Sequence, residues 1–321
     1  RKKKVWYNRI DSACSTMMNG ETHGILIGPH ASNLLSEIIL TVIDKHLYDS
    51  NYRFFRNIDD YTCYVGSYED AQKFINDLES TLKEFDLQLN HKKTKVIKLP
   101  MAMEEEWVRR LNGATAILVD NLETKHVNSF LDLALRLADE TGDSAVLNYA
   151  IKVLSGKKLT SNAKRVASKR IMHLAVMRPY LLHLMEKYVF GVLGTSKEQI
   201  MMFSDTICEE AKRVNNYEAI SFAIYFSLKY DFQLSSLDID WVIGRRDCVM
   251  LLMTWLYYLK ANHGKKQATE LKPLKKEAIR LQNTDMDNYW LFCYEVLSAD
   301  KLHEEWKGLK QAGVSFLRPL S

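Results

Sequence analysis

The sequence predicts an α+β protein: a mixed segment over residues 1–100 followed by an all-α domain over residues 101–321. Three observations carry this. The chain has 13 Gly and 5 Pro in 321 residues, or about 4% and 1.6% against usual values near 7% and 5%, too few turn formers for an all-β chain. Short aromatic and β-branched runs lie before Pro100. After it the strand signals fade and apolar residues recur at helical spacing. At 47% hydrophobic the chain can bury real cores, which excludes a wholly disordered polypeptide.

In chain order, Ala31–Leu47 carries Leu34, Leu35, Ile38, Ile39, Val42, Ile43 and Leu47 with the helical period. Tyr52–Ile58 and Tyr61–Val65 read as two short strands meeting at Asp59-Asp60. Glu69–Phe85 is a helix with Phe74, Ile75, Leu78, Leu82 and Phe85 on one face. Leu87–Leu89 and Lys95–Leu99 read as short strands around the polar turn Asn90–Thr94. Beyond Pro100, helices are expected over Ser129–Ala138, Ala145–Leu154, Lys164–Val192, Lys197–Val214, Tyr217–Tyr230, Asp238–Lys260, Lys272–Gln282 and Asp287–Leu297. Asp143–Ile151 resembles Asn216–Ile224 at an offset of 73 residues, about twice the roughly 34–47-residue unit of helical-hairpin repeats. Asp287–Glu295 is a weaker third copy. A helical-repeat (HEAT-like) domain is therefore expected, with an irregular bundle as the alternative.

Composition narrows the partners. Residues 1–100 hold 14 basic and 13 acidic side chains, and the remainder holds 30 and 27, so neither half binds polyanions by overall charge. The longest apolar run, Val249–Leu259, is shorter than the roughly 20 residues that cross a bilayer, so no membrane partner is expected. Arg1–Lys4 is basic, but Val5–Arg9 is no secretory apolar core. Cys14, Cys63, Cys208, Cys248 and Cys293 lie far apart with no zinc spacing. Scattered reduced thiols fit a cytoplasmic protein.

The chemistry concentrates around Asp59-Asp60. Tandem aspartates suit an ordinary hairpin turn. Between strands bearing Phe54, Phe55, Ile58, Tyr61, Tyr64 and Val65 they also stand on a stiff scaffold, as metal-assisted phosphoryl transfer requires of its carboxylates. Hard oxygen donors suit Mg²⁺ (or Mn²⁺). Upstream, His23-Gly24-Ile25-Leu26-Ile27-Gly28-Pro29-His30-Ala31-Ser32 opens a helix. Gly28 would allow close backbone approach, and Ser32 lies in the first turn. Downstream, Leu87-Gln88-Leu89-Asn90-His91-Lys92-Lys93-Thr94 places Lys93 on a turn from which it can reach a pyrophosphate oxygen. Each of these also reads as plain loop or solvated turn when taken alone.

Taken in order, the three elements resemble the second half of a reverse-transcriptase palm. Gly28 and Ser32 look like the family's B motif, Phe55–Asp60 like its Tyr-x-Asp-Asp C motif, and Leu87–Thr94 like its D motif. Ile27 stands where Gln is usual, and Asn57 where the aromatic residue is expected. The Ile-Gly-Pro-x-x-Ser-Asn form, with a long helical region behind it, is similar to the bacterial abortive-infection and defence-associated reverse transcriptases (AbiK-like). The resemblance is strong over residues 20–100 and weak over 101–321.

This resemblance implies a partial palm of short antiparallel strands plus helices. It implies nucleotidyl transfer from dNTPs with Asp59, Asp60 and Lys93 as catalytic residues. Asp59 and Asp60 would be metal ligands, and Gly28, Ser32 and Asn57 would meet substrate. It further implies template-independent, protein-primed synthesis with single-stranded DNA joined to a protein hydroxyl, a homo-oligomer, and a role in antiphage defence. A templated RNA-directed polymerase, and a non-catalytic helical scaffold with a degenerate palm, remain alternatives. The family's A-motif aspartate sits on a strand well before the B motif. Asp11 is 13 residues before Gly24 and is not in a strand-like setting. The A motif and the fingers are therefore expected outside these residues, and the start at Arg1 rather than Met reads as a partial chain.

One stretch points separately to nucleic acid. Ser144–Met185 contains no acid but carries Lys152, Lys157, Lys158, Lys164, Arg165, Lys169, Arg170 and Arg178. Lys157, Lys158, Lys164, Arg165, Lys169 and Arg170 form a candidate phosphate-tracking patch, with Arg165 and Lys169 at i, i+4 on one helix face. An ordinary solvated helix face is the alternative.

Overall fold

Helices form where apolar residues recur with the helical period, and among the described residues a β-hairpin forms from two short aromatic runs. The computed structural model describes residues 5–18, 20, 21, 25, 28, 30–100, 104–116 and 121–317. The described residues are predominantly helical with one two-stranded antiparallel sheet, an α+β arrangement. It divides into two units, Arg1–Met103 and Glu104–Ser321. The sequence changes texture at Pro100.

The first unit contains α1 (Trp6–Met17), α2 (His30–Asp49), β1 (Phe54–Asn57), β2 (Asp60–Cys63) and α3 (Tyr68–Lys83). Ser67 caps α3 by accepting the Asp70 N–H at 3.1 Å, with Glu69 and Asp70 favourably placed in the first turn. Ile43 and Leu47 of α2 meet Phe74, Leu78 and Leu82 of α3 in a small core, flanked by Tyr52, Phe54, Tyr61 and Phe85.

The helix expected over Ala31–Leu47 forms but is only partly covered, and one expectation fails here. Leu34, Ile38 and Val42 share the apolar stripe of α2 but are exposed. α3 and the hairpin cover the opposite face, so only part of the stripe is buried. Leu87–Leu89 and Lys95–Leu99 are not strands, and Val96, Ile97 and Leu99 are exposed. A strand needs a ladder partner for its N–H and C=O groups. Among the described residues of this unit only β1 and β2 pair.

The second unit runs through α4 (Glu106–Ala116), α5 (Thr124–Thr141), α6 (Ala145–Ser155), α7 (Ser161–Met177), α8 (Leu182–Leu184), α9 (Gly191–Leu193), α10 (Lys197–Val214), α11 (Tyr217–Tyr230), α12 (Ile239–Arg245), α13 (Cys248–Ala261), α14 (Lys272–Thr284), α15 (Met286–Val296) and α16 (Glu304–Gln311). Successive helices pack on one another: α5 on α6 and α7, α10 on α11, α11 on α13, and α15 on α13 and α14. Trp255, Tyr294, Phe190, Phe226 and Phe292 are the largest fully buried side chains. The two self-similar segments open α6 and α11. There, Asp143 accepts the Ala145 N–H at 2.8 Å, and Asn216 accepts the Ala219 N–H at 3.0 Å.

Two long helices expected from periodicity are broken. Lys164–Val192 ends as α7 at Met177, because Pro179 lacks an N–H and disfavours helix at the residue before it. Arg178 accordingly has φ −130° and ψ 79°. Met185–Phe190 then form a π-helical stretch between α8 and α9. Asp238–Lys260 divides into α12 and α13 at Arg246, which has φ +54°. Asp247 restarts the helix by accepting the Met250 N–H at 2.7 Å. No helix among the described residues is long and apolar enough to cross a membrane. All five cysteines are free thiols.

Leu47 is fully buried in the five-residue core of the first unit. Leu47→Ala should destabilise that unit by about 3 kcal/mol, the usual cost of a buried leucine truncation. Urea unfolding followed by tyrosine fluorescence or circular dichroism checks this.

Candidate functional site

The hairpin is the best-defined candidate. Its register pairs Phe54 with Cys63, Phe55 with Thr62, Arg56 with Tyr61 and Asn57 with Asp60. Ile58 and Asp59 are therefore the two loop residues. The sequence-predicted Asn57, Asp59 and Asp60 come together at this tip, and all three are exposed. Ile58 has φ +58°, a left-handed conformation that costs an L-residue roughly 1–2 kcal/mol and is rare for a β-branched one.

An ionic cluster behind the tip fixes it to α2. Glu37 and Asp44 are seven residues apart, two helical turns, and so share one face of α2. Arg56 reaches both. Its Nη1 and Nη2 donate to Glu37 Oε2 and Oε1 at 2.9 and 2.6 Å. Its Nε donates to both Asp44 oxygens at 3.0 Å, and Nη2 adds a 2.7 Å bond to Oδ2. Arg56 Nη1 also donates to the Ile58 carbonyl at 2.6 Å, which holds the left-handed residue from within the hairpin. Tyr61, the cross-strand partner of Arg56, donates to Asp44 Oδ1 at 2.9 Å. A planar guanidinium with forked donors suits two carboxylates at once, which a lysine does not.

Charge follows this geometry. The Arg56 hydrogen bonds hold the Glu37 carboxyl below its ordinary value of 4.5. The same bonds, to Glu37 first and Asp44 second, raise Arg56. Burial, reinforced by the bond to Asp44, raises Tyr61. Just before β1, burial and a 2.5 Å hydrogen bond to Asp77 push Tyr52 up to about 12. Arg56, Glu37 and Asp44 form the part of this site that sequence reasoning missed. The available signal was an arginine inside an aromatic strand and two acids seven residues apart on the preceding helix.

The remaining predicted residues are placed separately. Gly28 adopts φ +126°, a conformation that favours glycine, and nothing lies within 4 Å of where its Cβ would be. Ser32 is buried in the first turn of α2, and its carbonyl accepts the Ser36 hydroxyl at 2.9 Å. His23, Gly24, Leu26, Ile27 and Pro29 lie outside the described residues. Lys93 is exposed on the turn after α3, where its N–H bonds to the Asn90 carbonyl at 3.0 Å. Among the described residues no hydrogen bond or ion pair links Lys93 to the hairpin.

Among the described residues no group of three or more His, Cys, Asp and Glu side chains is placed to hold a metal ion. Asp59 and Asp60 therefore do not make an all-protein cage. Their donor chemistry does fit a Mg²⁺ ion that keeps most of its water and binds through one or two carboxylates together with substrate phosphates.

The basic patch is only partly free. Arg170 donates to Asn128 Oδ1 at 3.0 Å and pairs with Asp132 at 2.5 Å, so it is not the open phosphate ligand expected. Arg178 pairs with Asp139 at 3.2 Å. Both acids come from α5, which packs against α7. Arg165 and Lys169 are exposed on α7, whereas Lys157, Lys158 and Lys164 line a common pocket. No family model matches the chain, and no curated protein matches it.

Two predictions follow from the hairpin cluster. Because its folded-state pKa is lowered, Glu37 contributes stability that is fully present above pH 4.5 and lost as pH falls through the lowered value. The gap in melting temperature between the wild type and Glu37→Gln should therefore be open at pH 7 and closed below that value. Ile58→Asn relieves the left-handed strain while removing a side chain that is 78% exposed. It should stabilise the protein by about 1 kcal/mol, read as a raised urea midpoint.

Proposed function

We propose that this chain carries part of a nucleotidyltransferase resembling the reverse transcriptases of bacterial abortive infection, joined to a HEAT-like helical-repeat unit. The observation that carries this reading is the placement of Asp59 and Asp60. Two exposed carboxylates stand at the tip of a hairpin with a two-residue loop, clamped to a helix just behind the tip through Arg56. Ordinary surface turns do not need a β-branched residue at φ +58°. Backbone strain of this kind tends to collect where function constrains the chain.

The residues divide the work by position. Asp59 and Asp60 supply hard oxygen donors that would hold Mg²⁺ or Mn²⁺. When bound, such ions activate an attacking hydroxyl and neutralise a leaving pyrophosphate. Asn57, paired with Asp60, offers an amide beside the nucleotide. Arg56, Glu37 and Asp44 position the tip without touching substrate. Lys93, exposed on its turn, is a candidate cation for the departing pyrophosphate. Gly28 and Ser32 belong to the loop-to-helix junction that would border the nucleotide. On this reading the substrates are dNTPs, the product is single-stranded DNA joined to a protein hydroxyl, and the working form is a homo-oligomer in the bacterial cytoplasm.

Asp59→Asn/Asp60→Asn in the full-length protein should abolish incorporation of labelled dNTPs and phage protection. Each dNTP is supplied separately without template, and DNA retained on the protein after denaturation is measured. Continued incorporation by the double variant refutes the assignment. Synthesis that strictly requires added RNA shifts the reading to a templated polymerase. Protection that survives loss of both aspartates points to the helical scaffold.

A further inference from the structure

The second unit contains a pocket of about 280 Å³ lined by Asn121, Lys157, Lys158, Leu159, Lys164, Val192 and Leu193. Three of its seven lining residues are lysines, and none is a carboxylate. Among the described residues none of these lysines forms an ion pair, whereas the neighbouring Arg170 and Arg178 are matched by Asp132 and Asp139. Cations gathered on one concave surface repel each other and focus a positive potential.

The backbone around them is held from several directions. The Leu122 N–H donates to the Lys158 carbonyl at 2.8 Å, and the Thr160 N–H donates to the Leu122 carbonyl at 3.0 Å. This parallel bridge joins Leu122 to Leu159 and sets Asn121 beside the lysines. The Thr160 hydroxyl caps α7 by accepting the Ala163 N–H at 3.3 Å, and Lys164 follows within the next turn. Val192 and Leu193 complete the wall directly after the π-helical stretch Met185–Phe190, a distortion that recurs at functional sites.

The geometry points to a binding pocket for a phosphoryl anion at Lys157, Lys158 and Lys164. Three ammonium groups supply point charges and several donors to phosphate oxygens. Asn121 adds an amide, and Leu159, Val192 and Leu193 give an apolar floor. The volume lies below the roughly 300–1,000 Å³ of pockets that enclose drug-sized ligands, so the pocket takes a phosphoryl group rather than a whole nucleotide. That group comes either from a free anion such as pyrophosphate or from the backbone of a single strand. This inference does not depend on the chemistry assigned to Asp59 and Asp60.

The test uses the whole chain and two probes. Inorganic pyrophosphate is titrated by calorimetry, and a short fluorescein-labelled single-stranded DNA by anisotropy over a salt series. Lys157→Ala/Lys158→Ala/Lys164→Ala should weaken binding at least tenfold. The control Lys265→Ala/Lys266→Ala/Lys276→Ala, which removes the same charge elsewhere, should leave it unchanged. For DNA, the slope of log affinity against log salt should become shallower by about 2, since each phosphate contact on a single strand contributes about 0.7. Lys164→Gln alone should weaken binding in the same direction by a smaller factor, which guards against misfolding of the triple variant. Binding of pyrophosphate identifies a free-anion site, and binding of DNA alone identifies a strand site. Absence of both, or equal loss in the triple variant and its control, overturns the inference.

Discussion

The guanidinium of Arg56 is the interaction on which the first unit turns. It bridges Glu37 and Asp44 on α2 and bonds to the Ile58 carbonyl at the hairpin tip. A two-stranded hairpin is marginal in water by itself. Here it borrows order from a helix through several charge-assisted hydrogen bonds and from the packing of Phe54 and Tyr61 against the small core. Without the cation, two carboxylates would face each other along one side of α2. The positions of Asn57, Asp59 and Asp60 therefore depend on a side chain that points away from them.

This division of labour makes physical sense for a site of exposed acids. Asp59 and Asp60 stand in solvent, where neighbouring ionic contacts are screened and side chains are mobile. Precision has to come from the backbone. The backbone is set by the Asn57–Asp60 pair, by the carbonyl held on Arg56, and by Phe54 and Tyr61 packed against the small core. The strained Ile58 survives because its surroundings over-determine it.

The second unit follows a different logic. Its core is large and nearly all apolar, and charge is sorted at the surface between neighbouring helices. α5 sends Asp132 and Asp139 to Arg170 and Arg178 on and after α7. Arg165 and Lys169 stay exposed on α7, and Lys157, Lys158 and Lys164 gather around one pocket. Pro179 ends α7, and the π-helical stretch carries the chain to Val192 and Leu193 on the far wall of that pocket.

Much was legible in the sequence, because helical periodicity, strand alternation and capping residues act over a few residues. The α+β composition, a hairpin that carries Asp59 and Asp60 near its tip, α3 with Phe74, Leu78 and Leu82 inward, and the long run of helices after Pro100 follow from such local rules, although the turn itself is Ile58-Asp59 rather than Asp59-Asp60, and Asp60 opens β2. What the tertiary structure alone decided were the questions of partner. Periodicity marks the apolar stripe of α2 but not which half of it is covered, so Leu34, Ile38 and Val42 are exposed while Ile43 and Leu47 are buried. Short hydrophobic runs at Leu87–Leu89 and Lys95–Leu99 are strand-like in composition, yet without a ladder partner they are not strands. An acid-free stretch in sequence is not acid-free in space, because α5 supplies its carboxylates from more than 35 residues away. Arg56 shows the same limit most clearly. Its role rests on Glu37 and Asp44, and only folding brings three charges from two elements to within hydrogen-bonding distance.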